Sequence, residues 1–178
     1  MIEMSVVKIV ISSINIINEK LGVIVSFLFL PITFIAVYEV VVRYIFNNPT
    51  VWAWDMNMQL FAPLVMLSGG YVLLHDGHVA VDILVIELSP RKRAILDLFT
   101  LLILFLAMIV LIWKGTLIGF NSFVRGERTS SIWGPPLWTI KMWVPIGAFF
   151  VLLQGISKFL CNLQIIFSQS ELRERSSK

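Results

Sequence analysis

The chain has 178 residues, of which 58% are apolar and 14% are charged. An ordinary soluble domain carries roughly 25% charged residues, and a chain of this length cannot bury so much apolar surface in a core of its own. The composition therefore excludes a soluble domain and predicts an integral membrane protein. The net charge of +3 is modest and matters only for where the positive residues lie; we expect no nucleic-acid partner. The single cysteine, Cys161, excludes an internal disulfide or a cysteine-based metal site.

Residues 1–20 are predicted to form an N-terminal segment that lies along the membrane surface. Within it, residues 6–17 are apolar with scattered serine and asparagine, and this run is too short to span a bilayer. The segment lacks a basic start and a small-residue cleavage site, so we do not expect a removable signal peptide.

Four apolar runs follow that are long enough to cross a bilayer, which takes about 20 helical residues. They are predicted as helices at residues 21–46, 53–74, 90–120 and 137–160. A backbone in hydrocarbon must satisfy its own hydrogen bonds, and none of the runs alternates as a barrel strand does. The predicted fold is therefore all-α, with a four-helix transmembrane domain over residues 21–160 and a tail over residues 161–178.

Helix-breaking and small residues mark the ends and contacts of these spans. Residues 47–50 (NNPT) end the first span, while Ser89 can cap the third span and Pro90 suits its first helical position. Small residues at 68–70 (SGG) predict a close approach of another helix to the second span. Three further prolines are predicted to bend the other spans: Pro31, Pro63 and Pro145.

The segment 75–93 connects the second and third spans. Within it, residues 79–88 (VAVDILVIEL) are apolar but include Asp82 and Glu87. This stretch is predicted to be either a second interfacial arm on the membrane surface or an extension of the second helix, and both alternatives stay open.

Basic residues and tryptophans both predict that the two ends of the chain lie in the cytoplasm. Nine of the fourteen basic residues fall on the face that carries the N-terminus, the 75–93 loop and the tail, and the positive-inside rule makes that face cytoplasmic: Lys8, Lys20, Arg91, Lys92, Arg93, Lys158, Arg173, Arg175 and Lys178. All six tryptophans fall near the other face, as in an aromatic belt at the external interface: Trp52, Trp54, Trp113, Trp133, Trp138 and Trp143.

A few charged residues within the spans need a physical explanation. Glu39 and Arg43 are four residues apart on one helix face, which predicts an ion pair, while the functional alternative for Glu39 is a proton-coupling carboxylate. Asp55 opens the second span and is expected to act as a cap at the positive end of the helix dipole. Lys114 and Lys141 are predicted to lie close to helix ends and to extend toward the interface.

His75 and His78 are too few and too close together to indicate a cofactor. A metal site takes three or four ligands, and two histidines on one turn cannot hold a haem between two helices. The sequence contains no nucleophile–base pair, phosphate loop or metal-binding helix motif, so neither an enzyme nor a cofactor is predicted.

The scarcity of polar residues inside the spans favours a helper or scaffold subunit of a larger membrane complex over a self-sufficient carrier. Three alternatives remain at this point. The chain could be a small proton-coupled exporter that uses Glu39, a membrane enzyme or haem protein that uses His75 and His78, or an assembly factor for another complex.

Several motifs along about residues 20–160 point to one known family, and the most specific of them is the element at 75–82 (HDGHVAVD). The others lie at residues 38–46 (YEVVVRYIF), 49–55 (PTVWAWD), 71–74 (YVLL), 88–90 (LSP), 127–131 (ERTSS) and 152–155 (LLQG), with Pro136, Lys141 and Pro145. Together they resemble the small membrane subunit of tripartite ATP-independent periplasmic (TRAP) transporters, closest to the branch named for mannitol, chloroaromatic and 2-oxo-acid substrates.

The resemblance implies a subunit without chemistry or a cofactor of its own, in a sodium-coupled secondary transporter for organic acids in the bacterial inner membrane. The implied partners are a large multi-span membrane subunit that moves as an elevator, a periplasmic substrate-binding protein and the membrane lipids. The small subunit would brace the large one. The residues expected to contact the partner or to lock the bundle are Glu39, Arg43, Trp52, Trp54, Asp55, His78, Asp82 and Lys141.

Overall fold

The computed structural model describes residues 2–75 and 90–176, and these form five α-helices and no strand. The helices are α1 (Ile2–Ser26), α2 (Phe29–Tyr44), α3 (Ala53–Leu74), α4 (Pro90–Val124) and α5 (Leu137–Ser176). Four helical stretches of this part are long and apolar enough to cross a membrane: Val7–Tyr44, Ala53–Leu74, Ile95–Val124 and Leu137–Ile166. The prediction of an all-α protein with four spans is confirmed.

The first span is built from α1 and α2, which are separated by a turn at Phe27 and Leu28. Pro31 explains the break. Because proline has no N–H, the carbonyl of Phe27 accepts the N–H of Leu30 instead, at 3.2 Å. The predicted boundary at residue 20 falls inside α1, so the N-terminal segment and the start of the span are one continuous helix. The interfacial position expected for the first part of α1 stays a prediction.

Helices α3 and α5 run side by side in the same direction and touch through glycines. A Cβ atom at Gly147 of α5 would lie 2.7 Å from the backbone carbonyl carbon of Met66, and one at Gly69 of α3 would lie 2.8 Å from Val151. Such distances leave no room for a side chain, so the two helices approach closely. The predicted small-residue contact of the second span is confirmed.

Helix α4 runs antiparallel to α5 and also meets it at glycines. A Cβ atom at Gly115 would lie 3.0 Å from Pro145, and one at Gly155 would lie 2.7 Å from Phe105. Both helices extend beyond the predicted spans, to 35 and 40 residues. Because α4 continues for ten residues past Lys114 to Val124, the prediction that Lys114 lies close to a helix end is wrong.

Charged residues define two levels along the bundle. Asp55 and His75 lie 20 positions apart at the two ends of α3, which corresponds to about 30 Å in an α-helix and matches the hydrocarbon core of a bilayer. We call the level of Asp55, with residues 45–52 and 125–136, the loop end, and the level of His75 the opposite end. Helix α1 begins and α5 ends beyond the opposite end, so both lie on the same side.

The connection between α3 and α4 lies outside the described residues. This concerns the stretch 79–88, with its two alternatives of a surface arm or a helix extension, and also His78, Asp82 and the cap expected from Ser89. The orientation of the bundle in the membrane stays a prediction as well, because helix packing alone is the same in either orientation.

The lateral surface of the bundle is strongly apolar. Helix α2 has no buried residue, and large side chains such as Phe34 and Leu106 are 75% and 70% exposed. A soluble monomer rarely exposes such continuous apolar surface. In a bilayer this surface is in contact with lipid or with another membrane protein.

Candidate functional site

Asp55 is the buried acidic residue at the loop end of the bundle. It lies in the first turn of α3 and is only 6% exposed. Trp52 occupies the N-cap position, without a side-chain cap bond, and the Asp55 carboxylate accepts a hydrogen bond from the hydroxyl of Ser131 in the α4–α5 loop. Asp55 therefore attaches that loop to α3 rather than serving as the N-cap, although its position still suits the positive end of the helix dipole.

The α4–α5 loop begins with a defined helix end. Gly126 adopts a left-handed conformation with φ of 61°, which glycine accepts without a steric penalty. The Glu127 N–H donates to the carbonyl of Ser122 at 3.0 Å, and the Gly126 N–H donates to that of Phe123 at 3.1 Å. These two bonds form a Schellman motif, which fixes where the Glu127 side chain leaves the helix.

Ser131 is the centre of a small hydrogen-bond cluster within the loop. Its Oγ accepts the N–H of Gly134 at 3.1 Å and lies 2.8 Å from the Thr129 hydroxyl, while it donates to Asp55. The Thr129 N–H in turn donates to the carbonyl of Pro135 at 3.1 Å. The loop is thus closed on itself, and one buried carboxylate fixes it to α3.

Lys141 forms a second cluster with Glu127 and Ser122, at the start of α5. Predicted to extend toward the interface, Lys141 instead pairs with the Glu127 carboxylate, and its Nζ lies 3.2 Å from the Ser122 hydroxyl. Ser122 donates to the same carboxylate at 2.7 Å. The bonds from Lys141 and then from Ser122 hold the pKa of the Glu127 carboxyl below its usual range, against the opposing effect of burial.

Gln59 and Thr139 connect α3 to α5 just inside the loop end. The amide nitrogen of Gln59 donates to the carbonyl of Pro136 at 3.2 Å, and its oxygen accepts from the Thr139 hydroxyl at 2.7 Å. Neither residue was predicted from the sequence as a functional candidate. The signal that could have found them is an amide inside an apolar span, because such a group requires a partner in hydrocarbon.

The predicted ion pair between Glu39 and Arg43 is confirmed. Arg43 Nε donates to Glu39 Oε1 at 2.8 Å, and a second guanidinium nitrogen contacts the same oxygen. The other oxygen accepts from the Thr50 N–H at 3.2 Å and from the Thr50 hydroxyl. Both oxygens of Glu39 therefore hold the connection between α2 and α3.

The two tryptophans of the candidate set have different surroundings. The Trp52 ring stacks on Tyr38, with ring centroids 6.1 Å apart and an interplanar angle of 29°. Trp54 is 73% exposed and lies beside an open cleft of about 330 Å³ that Asp55 and Met58 also line. Trp52 thus belongs to the α2–α3 contact, and Trp54 is exposed beside it.

A buried amide cluster lies near the opposite end and was not predicted from the sequence. Asn18 of α1 is fully buried and donates to Gln154 of α5 at 2.9 Å. Gln154 donates to Asn15 at 3.0 Å, and Ser157 donates to the same Asn15 oxygen at 2.8 Å. Gly70 of α3 packs directly on the Asn18 amide. The cluster joins three helices.

His75 contacts α1 rather than a metal ligand set. Its Nε2 lies 2.7 Å from Glu19 Oε2, and its ring centroid lies 4.4 Å from that of Tyr71. Within residues 2–75 and 90–176, no three histidine, cysteine, aspartate or glutamate side chains converge as metal ligands do. His78 and Asp82, the remaining candidates, lie outside these residues.

Fold and contacts together define a four-span membrane protein whose polar residues join its own helices. Residues 32–165 match the family described as tripartite ATP-independent periplasmic transporters, DctQ component. This match covers most of the chain, which therefore belongs to that family, as a small membrane component of a bacterial TRAP transporter. The family implies a large membrane subunit and a periplasmic binding protein as partners. No curated protein matches the chain.

We expect Ser131→Ala and Asp55→Ala each to lower the stability of the bundle by about 1–3 kcal/mol. The first leaves the buried Asp55 carboxylate without its partner, and the second removes the acceptor of the Ser131 hydroxyl. Because both variants remove the same interaction, the double variant should lose less stability than the sum of the two single losses. Thermal unfolding of the purified protein in detergent measures these losses, and Ser130→Ala at the neighbouring exposed position is the control. Fully additive losses would contradict the contact.

The Glu127 contacts predict a defined pH dependence. A carboxyl whose pKa is lowered by folding adds stability above the pKa of the unfolded chain, and this stability is lost as the pH falls through the folded pKa. The unfolding temperature of the wild type should therefore exceed that of Glu127→Gln at neutral pH, and the difference should close below about pH 4. A difference that grew in acid would show that Glu127 acts in another way.

Proposed function

We propose that this chain is the non-catalytic small permease subunit of a sodium-coupled secondary transporter for organic acids, in which it braces the large membrane subunit. In the described part of the chain, Glu19, Glu39, Asp55 and Glu127 make their contacts at the two ends of the bundle. Lys141 pairs with Glu127 of the loop end, and Lys114 lies near the middle. An organic acid anion would therefore find no charged path through this chain. The path is assigned to the large subunit, and the small subunit supplies a fixed surface.

The observation that carries this proposal is the set of polar contacts that joins the helices at both ends. Asp55 with Ser131 and Glu127 with Lys141 act at the loop end, and Asn18 with Gln154 acts near the opposite end. Helices that slid past one another would break these contacts and leave polar groups unpaired in hydrocarbon. Such a bundle suits a stationary brace better than a carrier that changes shape.

An exporter that uses Glu39 for proton coupling is less well supported. A coupling carboxylate has to bind and release a proton along the transport path. Both oxygens of Glu39 are instead bonded to Arg43 and Thr50. We therefore assign Glu39 to the α2–α3 connection.

For orientation we propose that both ends of the chain face the cytoplasm and that the protein spans the bacterial inner membrane. The start of α1, His75, the start of α4 and the end of α5 share one side of the bundle. Nine of the fourteen basic residues fall on this side in the sequence, as the positive-inside rule requires of a cytoplasmic face. The loop end would then face the periplasm.

We divide the candidate residues into two groups by their contacts. Glu39, Asp55 and Lys141 have partners within the chain and are proposed to lock the bundle, as is Trp52 through its stacking on Tyr38. Trp54 is exposed at the loop end, and the Arg43 side chain is 50% exposed although it is paired. These two, with His78 and Asp82, are proposed to contact the large subunit.

Purification from the native cell tests the proposal directly. A tagged copy extracted in mild detergent is expected to bring with it a larger, many-span membrane protein in a near-equal amount, identified by mass spectrometry. An untagged strain is the control for background. Recovery of the chain alone, as a homo-oligomer, would contradict the proposal and favour the exporter.

Variants expressed in the same cells test the proposed contact roles of Arg43 and Asp82. Arg43→Ala and Asp82→Ala should lower both recovery of the large subunit and uptake of an organic acid, whereas Arg43→Lys and Asp82→Glu should retain both. Uptake should also fall when external sodium is replaced by potassium. If both alanine variants assembled and transported normally, the contact roles of Arg43 and Asp82 would be excluded.

Cys161 provides a test of the orientation. This lone thiol lies in the part of α5 beyond the opposite end and is partly exposed. A membrane-impermeant maleimide should label it in inside-out vesicles and leave it unlabelled in intact spheroplasts, with Cys161→Ser as the control for background. Labelling from the outside of spheroplasts would reverse the orientation.

A further inference from the structure

Lys114 stands out on the exposed side of α4. Its neighbours at helical spacing are all exposed apolar residues: Val110 at 47%, Leu111 at 42%, Leu117 at 45% and Ile118 at 54%. Gly115, the residue after Lys114 and about 100° further round the helix, lies on the side of α4 that packs on α5. We call Val110, Leu111, Lys114, Leu117 and Ile118 the Lys114 face.

The contacts of α4 locate this lysine near the middle of the bundle. Gly115, the next residue, packs on Pro145, and Gly147 one half-turn further along α5 packs on Met66 of α3. Met66 lies 11 positions after the loop-end aspartate and 9 before the opposite-end histidine. Lys114 is therefore roughly 15 Å from each end in helical rise, which is more than a lysine side chain spans toward the interface.

No carboxylate of the described residues pairs with Lys114. Glu19, Glu39 and Glu127 contact His75, Arg43 and Lys141 at the two ends of the bundle. The contact that Lys114 does make is with the ring of Trp113, whose centroid lies 5.1 Å from Nζ. An exposed cation–π contact offsets only part of the cost of an ammonium group in hydrocarbon.

We infer that the Lys114 face is the surface on which a membrane span of the large subunit docks, and that this span supplies an aspartate or glutamate to Lys114. The inference rests on the proposed function and names the face of the chain that performs the bracing. A carboxylate at that depth would pair with the lysine, and the surrounding apolar residues would exclude lipid and water from the pair.

Two other occupants fit the Lys114 face less well. The phosphates of lipids lie in the headgroup region, about 15 Å away from Lys114 along the helix, so a lipid tail would leave the charge unpaired. A second copy of this chain, docked through the same face in a symmetric dimer, would bring two lysines together without a counter-charge. A partner span with a carboxylate satisfies both the depth and the charge.

Site-specific photo-crosslinking in the intact complex tests this inference. A benzophenone amino acid placed at Ile118, which lies on the Lys114 face and leaves the lysine intact, should crosslink to the large subunit on illumination. Mass spectrometry should locate the product in a membrane span. Ile109, also exposed on α4 but on the other side of the helix, is the matched control and should give at least fivefold less product. Crosslinks from Ile118 only to lipid, or to a second copy of this chain, would overturn the inference.

Charge reversal tests the predicted carboxylate. Lys114→Glu should reduce co-purified large subunit at least tenfold, Lys114→Arg should retain it, and an Asp→Lys or Glu→Lys change in the crosslinked span should restore binding to Lys114→Glu. Unchanged recovery with Lys114→Glu would overturn the inference. If wild type recovers the large subunit while the probe at Ile118 does not crosslink to it, the face is wrong and the proposed function stands. Failure of wild type to recover it would reject the proposed function itself.

Discussion

Hydrocarbon offers no hydrogen-bond partner, so polar groups inside this bundle depend on partners that the protein or its complex supplies. Gln59 meets Thr139, and Asn18 meets Gln154. Lipid tails solvate apolar side chains as well as a protein interior does, so apolar burial alone gives these helices little reason to associate. The polar pairs therefore favour one arrangement of α1, α3 and α5 over others that bury a similar apolar area. The loop-end contacts form within that arrangement.

The glycines make these polar contacts possible. Gly147 and Gly69 let α3 and α5 approach until backbone meets side chain, and Gly70 leaves space for the Asn18 amide. At this separation short groups such as the Thr139 hydroxyl reach the neighbouring helix. Helix α5 is the common partner, because α1, α3 and α4 all pack against it. A change in the α3–α5 distance would therefore affect both polar clusters.

On the proposed function, this chain supports transport without a transport path of its own. A partner that moves within the membrane needs a neighbour that does not move with it. Contacts at both ends of the bundle resist sliding of its helices, while α2 and α4 present long apolar surfaces outward. On the proposed function, the interior of this chain supplies the fixed frame, and its exterior supplies the contact with the large subunit.

Local features of the sequence were sufficient to predict the four spans, the proline break in the first span and the Glu39–Arg43 pair. Run length, a missing N–H and a four-residue spacing each act within a single helical span. They were insufficient for Asp55 with Ser131, which are 76 positions apart, and for Asn18 with Gln154, which are 136 apart. Those partners depend on the register between helices, which close glycine packing sets. Lys114 was expected near a helix end but lies near the middle of the bundle. The length of an apolar run does not show where a helix ends beyond the bilayer, and the packing of α4 on α5 sets the depth of this lysine.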